Sequence, residues 1–108
     1  KFADGLHFLN NIFLVECKNW SNPVKSVDVN WFATKVEDRG LDFGILVAAH
    51  GITKENDEVK RAQSILTGYL RKHIQIIVLE KDEILALDTT DDIILLIKNK
   101  ICELVVNG

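Results

Sequence analysis

The sequence is poor in the features that mark several protein classes. It has two cysteines and one proline among 108 residues, and its apolar runs are short. One of the longer runs, Ile74 to Leu79, is interrupted by Gln75, and no segment approaches the roughly 20 apolar residues of a membrane helix. Charge enters at once in Lys1 to Asp4 and no long apolar stretch follows, which argues against a signal peptide. We therefore expect neither a membrane-spanning segment nor a signal peptide in these residues, and no internal repeat or low-complexity stretch is visible.

The two cysteines exclude further classes. Cys17 lies in an apolar strand pattern and Cys102 in a helical one, so we expect both to be small, buried side chains. Two cysteines without metal-ligand spacing make neither a zinc site nor a disulfide framework. We therefore expect a reducing, cytoplasmic setting.

The composition that is present is that of an ordinary soluble globular protein, with 47% hydrophobic and 27% charged residues. A chain of this length, residues 1–108, is expected to form one domain with a real core. The net charge of −3 is a mild point against nucleic-acid binding, because binders of polyanions usually carry a basic surplus. It does not exclude such binding, since a bound cation would offset acidic residues at a site.

Hydrophobic periodicity predicts the element order β-β-α-β-α-β-(β)-α. The predicted elements are a hairpin with arms 3–9 and 12–18 around Asn10-Asn11, a helix from Ser26 to about Arg39, a strand 43–49, a helix capped by Thr53 and ending near His73, a strand 74–79, a short strand or helical turn 83–87, and a last helix capped by Thr89 or Thr90. This alternation predicts an α/β fold with a mixed sheet that is covered by helices on both faces. Asp4 falls almost at the first residue of a strand, so we expect an N-terminal element to be missing from this chain.

Glu16 and Lys18 are the most informative pair in the sequence. They lie two residues apart in the second arm, so both side chains point to the same face of the strand. They also interrupt an otherwise apolar strand, and burying charge is costly unless the charge is paired or holds a metal. The alternative is that the two form a simple ion pair at a solvated strand end.

Asp4 adds a second carboxylate across the hairpin. A three-residue connection or a bulge places Asp4 opposite Glu16, whereas a plain two-residue turn at Asn10-Asn11 turns it away and counts against a site. Two close carboxylates repel each other unless a proton or cation lies between them, and Mg²⁺ prefers oxygen ligands. Lys18 would then orient or deprotonate an attacking water, or neutralise charge in the transition state. These residues suit phosphodiester hydrolysis.

Asp4, eleven intervening residues and the run Glu16-Cys17-Lys18-Asn19-Trp20 resemble the active-site hairpin of the PD-(D/E)xK nuclease superfamily, in particular its Mrr-like restriction endonuclease branch. The downstream order of helix 29–36, strand 44–47, Gly51-Ile52-Thr53, a helix and strand 76–79 follows the same branch. Only the E-x-K run with its apolar lead-in is specific. Two departures are Ala3, where the motif has proline, and the lack of an acidic residue from a preceding helix.

The resemblance implies a restriction-endonuclease-like three-layer α/β/α fold with a central mixed sheet, and hydrolysis of DNA phosphodiester bonds with Mg²⁺, for which Mn²⁺ can substitute. By that pattern Asp4 and Glu16 bind the metal with the Cys17 carbonyl, and Lys18 is catalytic. A homodimer is expected as well, because cutting both strands with one site per chain usually needs two copies.

Three further residues are candidates for nucleic-acid contact. Asn19 and Trp20 follow the lysine directly, and Trp20 either stacks on a base or packs under the Pro23 loop. His50 lies at a strand end, where it either contacts a substrate phosphate or is simply part of the turn. Two functional alternatives remain open at this point: an inactive nuclease-fold module that binds nucleic acid or protein, and an interaction domain in which Glu16 and Lys18 merely pair.

Overall fold

The computed structural model describes residues 12–18 and 22–107. Its elements are β1 (Leu14–Lys18), α1 (Ser26–Asp38), β2 (Phe43–Ala48), α2 (Asn56–Arg71), β3 (Gln75–Glu80), α3 (Lys81–Leu85) and α4 (Thr90–Asn107). Each lies within a few residues of a predicted element, and the segment predicted as a strand or a helical turn is the short helix α3. The first predicted hairpin arm, which carries Asp4, lies outside the described residues.

The three described strands form a parallel sheet in the order β1-β2-β3. The prediction of a mixed sheet is therefore wrong for these strands. The reason is that a helix connects each strand to the next, α1 between β1 and β2 and α2 between β2 and β3, and a helical crossover returns the chain in the same direction. The predicted hairpin arm 3–9 lies outside the described part of the chain.

Helices cover the sheet on both faces, which confirms the layered α/β arrangement. On the first face α1 and α2 pack over a cluster that includes Val29, Phe32, Val36, Leu46 and Ile76. On the second face α3 and α4 pack over a cluster that includes Phe43, Ile45, Ile77, Leu79 and Ile97. Strand β2 lies between its two neighbours and is almost wholly buried, as its continuous apolar sequence predicts.

The start of α1 is fixed more firmly than the sequence indicated. Lys25, rather than Ser26, is the residue that caps the helix, and its backbone N–H donates to the Asp28 carboxylate at 2.9 Å. Ser26 is the first helical residue, and both its backbone N–H and its hydroxyl donate to Glu58 on α2. These contacts join the first turns of the two helices on the first face, so α1 is held against both the sheet and α2.

The prediction that both cysteines are buried is wrong, because Cys17 and Cys102 are both exposed. Cys17 lies on the second face of β1, and α4, which covers this face of the sheet, packs mainly on β3. Cys102 lies on the outer side of α4. In the part of the chain that the structure describes, no helix combines the length and the apolar character needed to cross a bilayer.

Candidate functional site

The site lies at the carboxyl end of β1, on the face that α1 and α2 cover. In the parallel register Glu16 pairs with Leu46 and Lys18 pairs with Ala48, and both partners belong to the core cluster of that face. Because side chains alternate along a strand, Glu16 and Lys18 point to the same face, as predicted. Two charged side chains thus enter the edge of an apolar core.

The Glu16 carboxylate is held between two lysines. Lys18 Nζ lies 2.9 Å from Glu16 Oε2, and the Lys35 ammonium, from α1, donates a hydrogen bond to Glu16 Oε1. The side chains of Glu16 and Lys18 are only 23% and 17% exposed, and that of Lys35 is 39% exposed. Each carboxylate oxygen therefore faces one ammonium, and the cluster carries more positive than negative charge.

The two lysines also set the ionisation of Glu16. Partial burial raises the pKa of the carboxyl, but the hydrogen bond from Lys35 and the close positive charges of both lysines outweigh this effect and hold the pKa below its ordinary value. Glu16 is consequently a carboxylate throughout the neutral range. A carboxylate, and not a carboxylic acid, is the form that binds a divalent cation.

One oxygen of this carboxylate has unused acceptor capacity. Glu16 Oε2 is buried and, although Lys18 Nζ is within ion-pair distance, no donor is aligned with it for a hydrogen bond. A buried acceptor without a hydrogen bond is uncommon and costly. An ionised oxygen in this condition suits a hard cation such as Mg²⁺, so the residue present fits the metal that the sequence resemblance implies.

The backbone next to Glu16 presents a second oxygen. The Lys18 carbonyl accepts a hydrogen bond from Ala49 N–H at 3.1 Å, so it points toward β2. Because successive carbonyls of a strand point to opposite sides, the Cys17 carbonyl points away from β2. The described residues hold no group of three acidic, histidine or cysteine side chains that would bind a metal by themselves. Mg²⁺ does not need such a group, since one or two carboxylates with waters and substrate phosphate usually hold it.

The turn after β2 lies beside this strand end. His50 is exposed in that turn, which begins at Ala49, the partner of the Lys18 carbonyl. Gly51 has a φ of +81°, and the following N–H, of Ile52, donates to Glu80 Oε1 at 3.3 Å. The turn is thus held between the ends of β1 and β3. His50 is therefore on the surface, beside the end of β1 that carries Glu16 and Lys18.

Three of the predicted site residues, Asp4, Asn19 and Trp20, lie outside the described residues. Lys35, in contrast, was not predicted. It occupies the position between Thr34 and Val36 in an amphipathic helix, where a lysine is ordinary, and no spacing relates it to Glu16. Only the packing of α1 on the sheet brings it to the carboxylate.

Comparison with known proteins identifies the family of the chain. The Mrr_cat restriction endonuclease family matches residues 3–87, a span that contains the whole of the candidate site. The match covers well over half of the chain, and the chain belongs to this family, a PD-(D/E)xK-type family of restriction endonucleases. No curated protein and no solved structure matches the chain significantly.

Proposed function

We propose that the protein is a metal-dependent endonuclease that hydrolyses DNA phosphodiester bonds, with Mg²⁺ as its cofactor and Mn²⁺ as a substitute. The observation that carries the proposal is the partly buried Glu16 carboxylate, which lies 2.9 Å from the Lys18 ammonium and has a buried oxygen without a hydrogen bond. Membership of the Mrr_cat restriction endonuclease family supports it. The exposed thiols of Cys17 and Cys102, which form no disulfide, suit the reducing cytoplasm that we propose as its location.

In this proposal Glu16, Asp4 and the Cys17 carbonyl hold the metal. Glu16 supplies an ionised oxygen at the edge of the core, and Asp4 supplies the second carboxylate from the preceding segment. When bound, a divalent cation supplies positive charge that stabilises the negative charge developing on the phosphate. The surrounding apolar side chains of the first face limit water around these groups, which strengthens their electrostatic interactions.

Lys18 is the proposed catalytic residue. Its ammonium, fixed beside Glu16, lies where it would orient the attacking water and stabilise the charge of the pentavalent transition state. In the reaction water adds to phosphorus, one phosphorus–oxygen ester bond breaks, and the departing alkoxide takes up a proton. The products are a phosphate monoester and a free hydroxyl.

DNA contacts are proposed for the residues around this strand end. Asn19 and Trp20 follow Lys18 in the chain, and His50 is exposed on the neighbouring turn. We propose that Trp20 stacks on a base or sugar and that His50 contacts a phosphate. Cleavage of both strands would require two copies of the chain, and a homodimer that forms on DNA would supply them.

A cleavage assay tests the proposed function. Supercoiled plasmid and duplex oligonucleotides are incubated with the wild-type protein and Mg²⁺ or Mn²⁺, beside Asp4→Asn, Glu16→Gln and Lys18→Ala. Each variant should lose roughly 100-fold or more in rate, because each removes a group aimed at the reacting phosphate. Glu37→Gln and Lys72→Ala are matched controls. This glutamate and lysine form an exposed ion pair with each other, 3.2 Å apart, and neither contributes to the ion pairs of Glu16.

The controls should cleave at the wild-type rate. Cleavage that survives in both Glu16→Gln and Lys18→Ala would place the chemistry elsewhere. DNA binding without cleavage under every metal condition would instead identify a nuclease-fold module that binds its target without hydrolysing it.

A further inference from the structure

Lys35 has no assigned role, yet its side chain contacts the proposed metal ligand directly. Its ammonium donates to Glu16 Oε1, while Lys18 lies at the other carboxylate oxygen. We propose that Lys35 is a positioning residue that takes the place of the metal at Glu16 and moves to a DNA phosphate when substrate binds. This inference rests on the proposed function and concerns how the site admits its metal.

Charge is the first argument for competition between Lys35 and a cation. Two ammonium groups surround a single carboxylate in the described part of the site. A divalent cation that approaches Glu16 therefore meets positive charge at hydrogen-bond distance, and like charges repel strongly where the surroundings are partly desolvated. The Lys35 ammonium and a cation also require lone pairs of the same carboxylate. Binding of the metal is disfavoured as long as Lys35 stays in place.

The second argument is that Lys35 is the lysine that is able to move. Its side chain is 39% exposed, whereas that of Lys18 is 17% exposed. The neighbouring residues Phe32 and Val36 are fully buried against the sheet, so the helix itself is fixed. Motion is confined to the four-carbon stem of Lys35, which joins the buried helix to the surface and carries a strongly hydrated, freely turning ammonium.

A phosphate is the group that would release Lys35 from Glu16. A DNA backbone brings a negative charge close to the carboxylate, and an ammonium transfers readily between two such anions. The transfer frees Glu16 Oε1 and adds a phosphate contact at the same time. Metal and DNA should therefore bind with positive cooperativity, and the metal should bind weakly to the protein alone.

The first experiment measures Mn²⁺ binding by calorimetry on the whole chain without DNA. Lys35→Gln keeps a polar side chain, one atom shorter than lysine, and removes the charge, so we expect Mn²⁺ to bind about tenfold more tightly than to the wild type. Lys35→Arg keeps the charge and should bind as the wild type does. Lys72→Gln is the matched control, because it changes the net charge equally at an exposed pair and should leave the affinity unchanged.

The second experiment measures binding of a duplex oligonucleotide in EDTA at several salt concentrations. Lys35→Gln should bind DNA more weakly, and the slope of log K against log salt should fall by about one phosphate contact. Lys35→Arg should restore both quantities. Circular dichroism and thermal melting establish that each variant is folded, and the arginine variant separates loss of charge from loss of structure.

An unchanged or weaker Mn²⁺ affinity in Lys35→Gln would overturn the inference, because Lys35 would then support the ligand or leave it unaffected. An unchanged salt slope would overturn the transfer to phosphate. Glu16→Gln distinguishes this failure from failure of the proposed function. If Glu16→Gln abolishes Mn²⁺ binding and DNA cleavage while Lys35→Gln behaves as the wild type, only the role of Lys35 is wrong; if Glu16→Gln changes neither property, the proposed site is wrong as well.

Discussion

Helix α1 packs closely on the sheet at Gly44, the second residue of β2. A Cβ atom built on Gly44 lies 2.7 Å from Val36 Cγ2 and 3.0 Å from two atoms of the Phe32 ring. Carbon atoms in contact normally lie about 3.5–4.0 Å apart. Gly44 thus allows α1 to approach the strand next to β1, at the height of Leu14, two residues before Glu16.

We predict that Gly44→Ala destabilises the protein. Val36 and Phe32 are buried, with 0% and 1% exposure, so neither has free space into which to retreat, and α1 must move outward by several tenths of an ångström. Overpacking of a core typically costs about 1–3 kcal/mol, against which alanine recovers roughly 0.5–1 kcal/mol of backbone entropy. The expected net loss is about 1–2 kcal/mol in the free energy of unfolding, or roughly 5–10 °C in Tm.

Urea denaturation followed by circular dichroism measures this loss, and Gly68→Ala is the control. Gly68 lies within α2, and a Cβ added there meets nothing within 4 Å beyond the neighbouring backbone of its own helix. The same substitution should therefore stabilise the protein, by roughly 0.5–1 kcal/mol. A steric origin predicts opposite signs for the two variants, whereas a general effect of replacing glycine predicts the same sign.

Val36→Ala completes a double-mutant cycle with Gly44→Ala. Removing the methyl group that the new Cβ would strike should relieve the overlap, so the double variant should lose at least about 0.5 kcal/mol less than the two single losses together. The steric reasoning is refuted if the losses are additive, or if Gly44→Ala is as stable as the wild type. Because α1 also carries Lys35, Gly44→Ala should in addition alter Mn²⁺ binding at Glu16.

Two further predictions concern the other parts of the fold. The Glu83 carboxyl is partly buried, which raises its pKa, but Lys100 at 2.8 Å and the Glu80 backbone N–H outweigh this and hold the pKa below the ordinary value. Its contribution to stability is therefore complete above the unfolded pKa, near 4.3, and is lost as the pH falls through the lowered pKa of the folded state. Glu83→Gln should cost about 1 kcal/mol at pH 7 and less at pH 3 in urea titrations, and an equal cost at both pH values would refute the charge pair. Gly51→Ala should cost about 1–2 kcal/mol in the same assay, because φ is +81° there, and a neutral result would show that the turn relaxes.

Local sequence patterns were sufficient for most of the fold. The stripe of Val29, Phe32, Ala33 and Val36 predicted helix α1 and its buried face, and Gly40 marked its end with a φ of +70°. The unbroken apolar run of β2 predicted a strand buried on both sides. These predictions succeed because periodicity is a local property that the fold must satisfy. The direction in which strands pair is not local. The parallel sheet results from the helical crossovers between successive strands, and the prediction of a mixed sheet missed it for the three described strands.

The candidate site shows the same division. The spacing of Glu16 and Lys18 was enough to predict their common face, since alternation along a strand requires it. Their role as metal ligand and catalytic residue, and that of Asp4, stays a prediction. The exposure of Cys17 was not predicted, because burial on this face requires a helix over β1, and α4 packs mainly on β3.

The sequence by itself determined which segments form helices and strands, and which two charges share the end of β1. The tertiary structure decided what surrounds those charges. Lys35 lies 19 residues from Glu16, and it reaches the carboxylate only because Gly44 admits α1 closely and because buried Phe32 and Val36 fix the turn of the helix that faces the sheet. Periodic patterns report which side of an element is apolar, but contact between elements depends on packing in three dimensions, and no spacing in the chain encodes it.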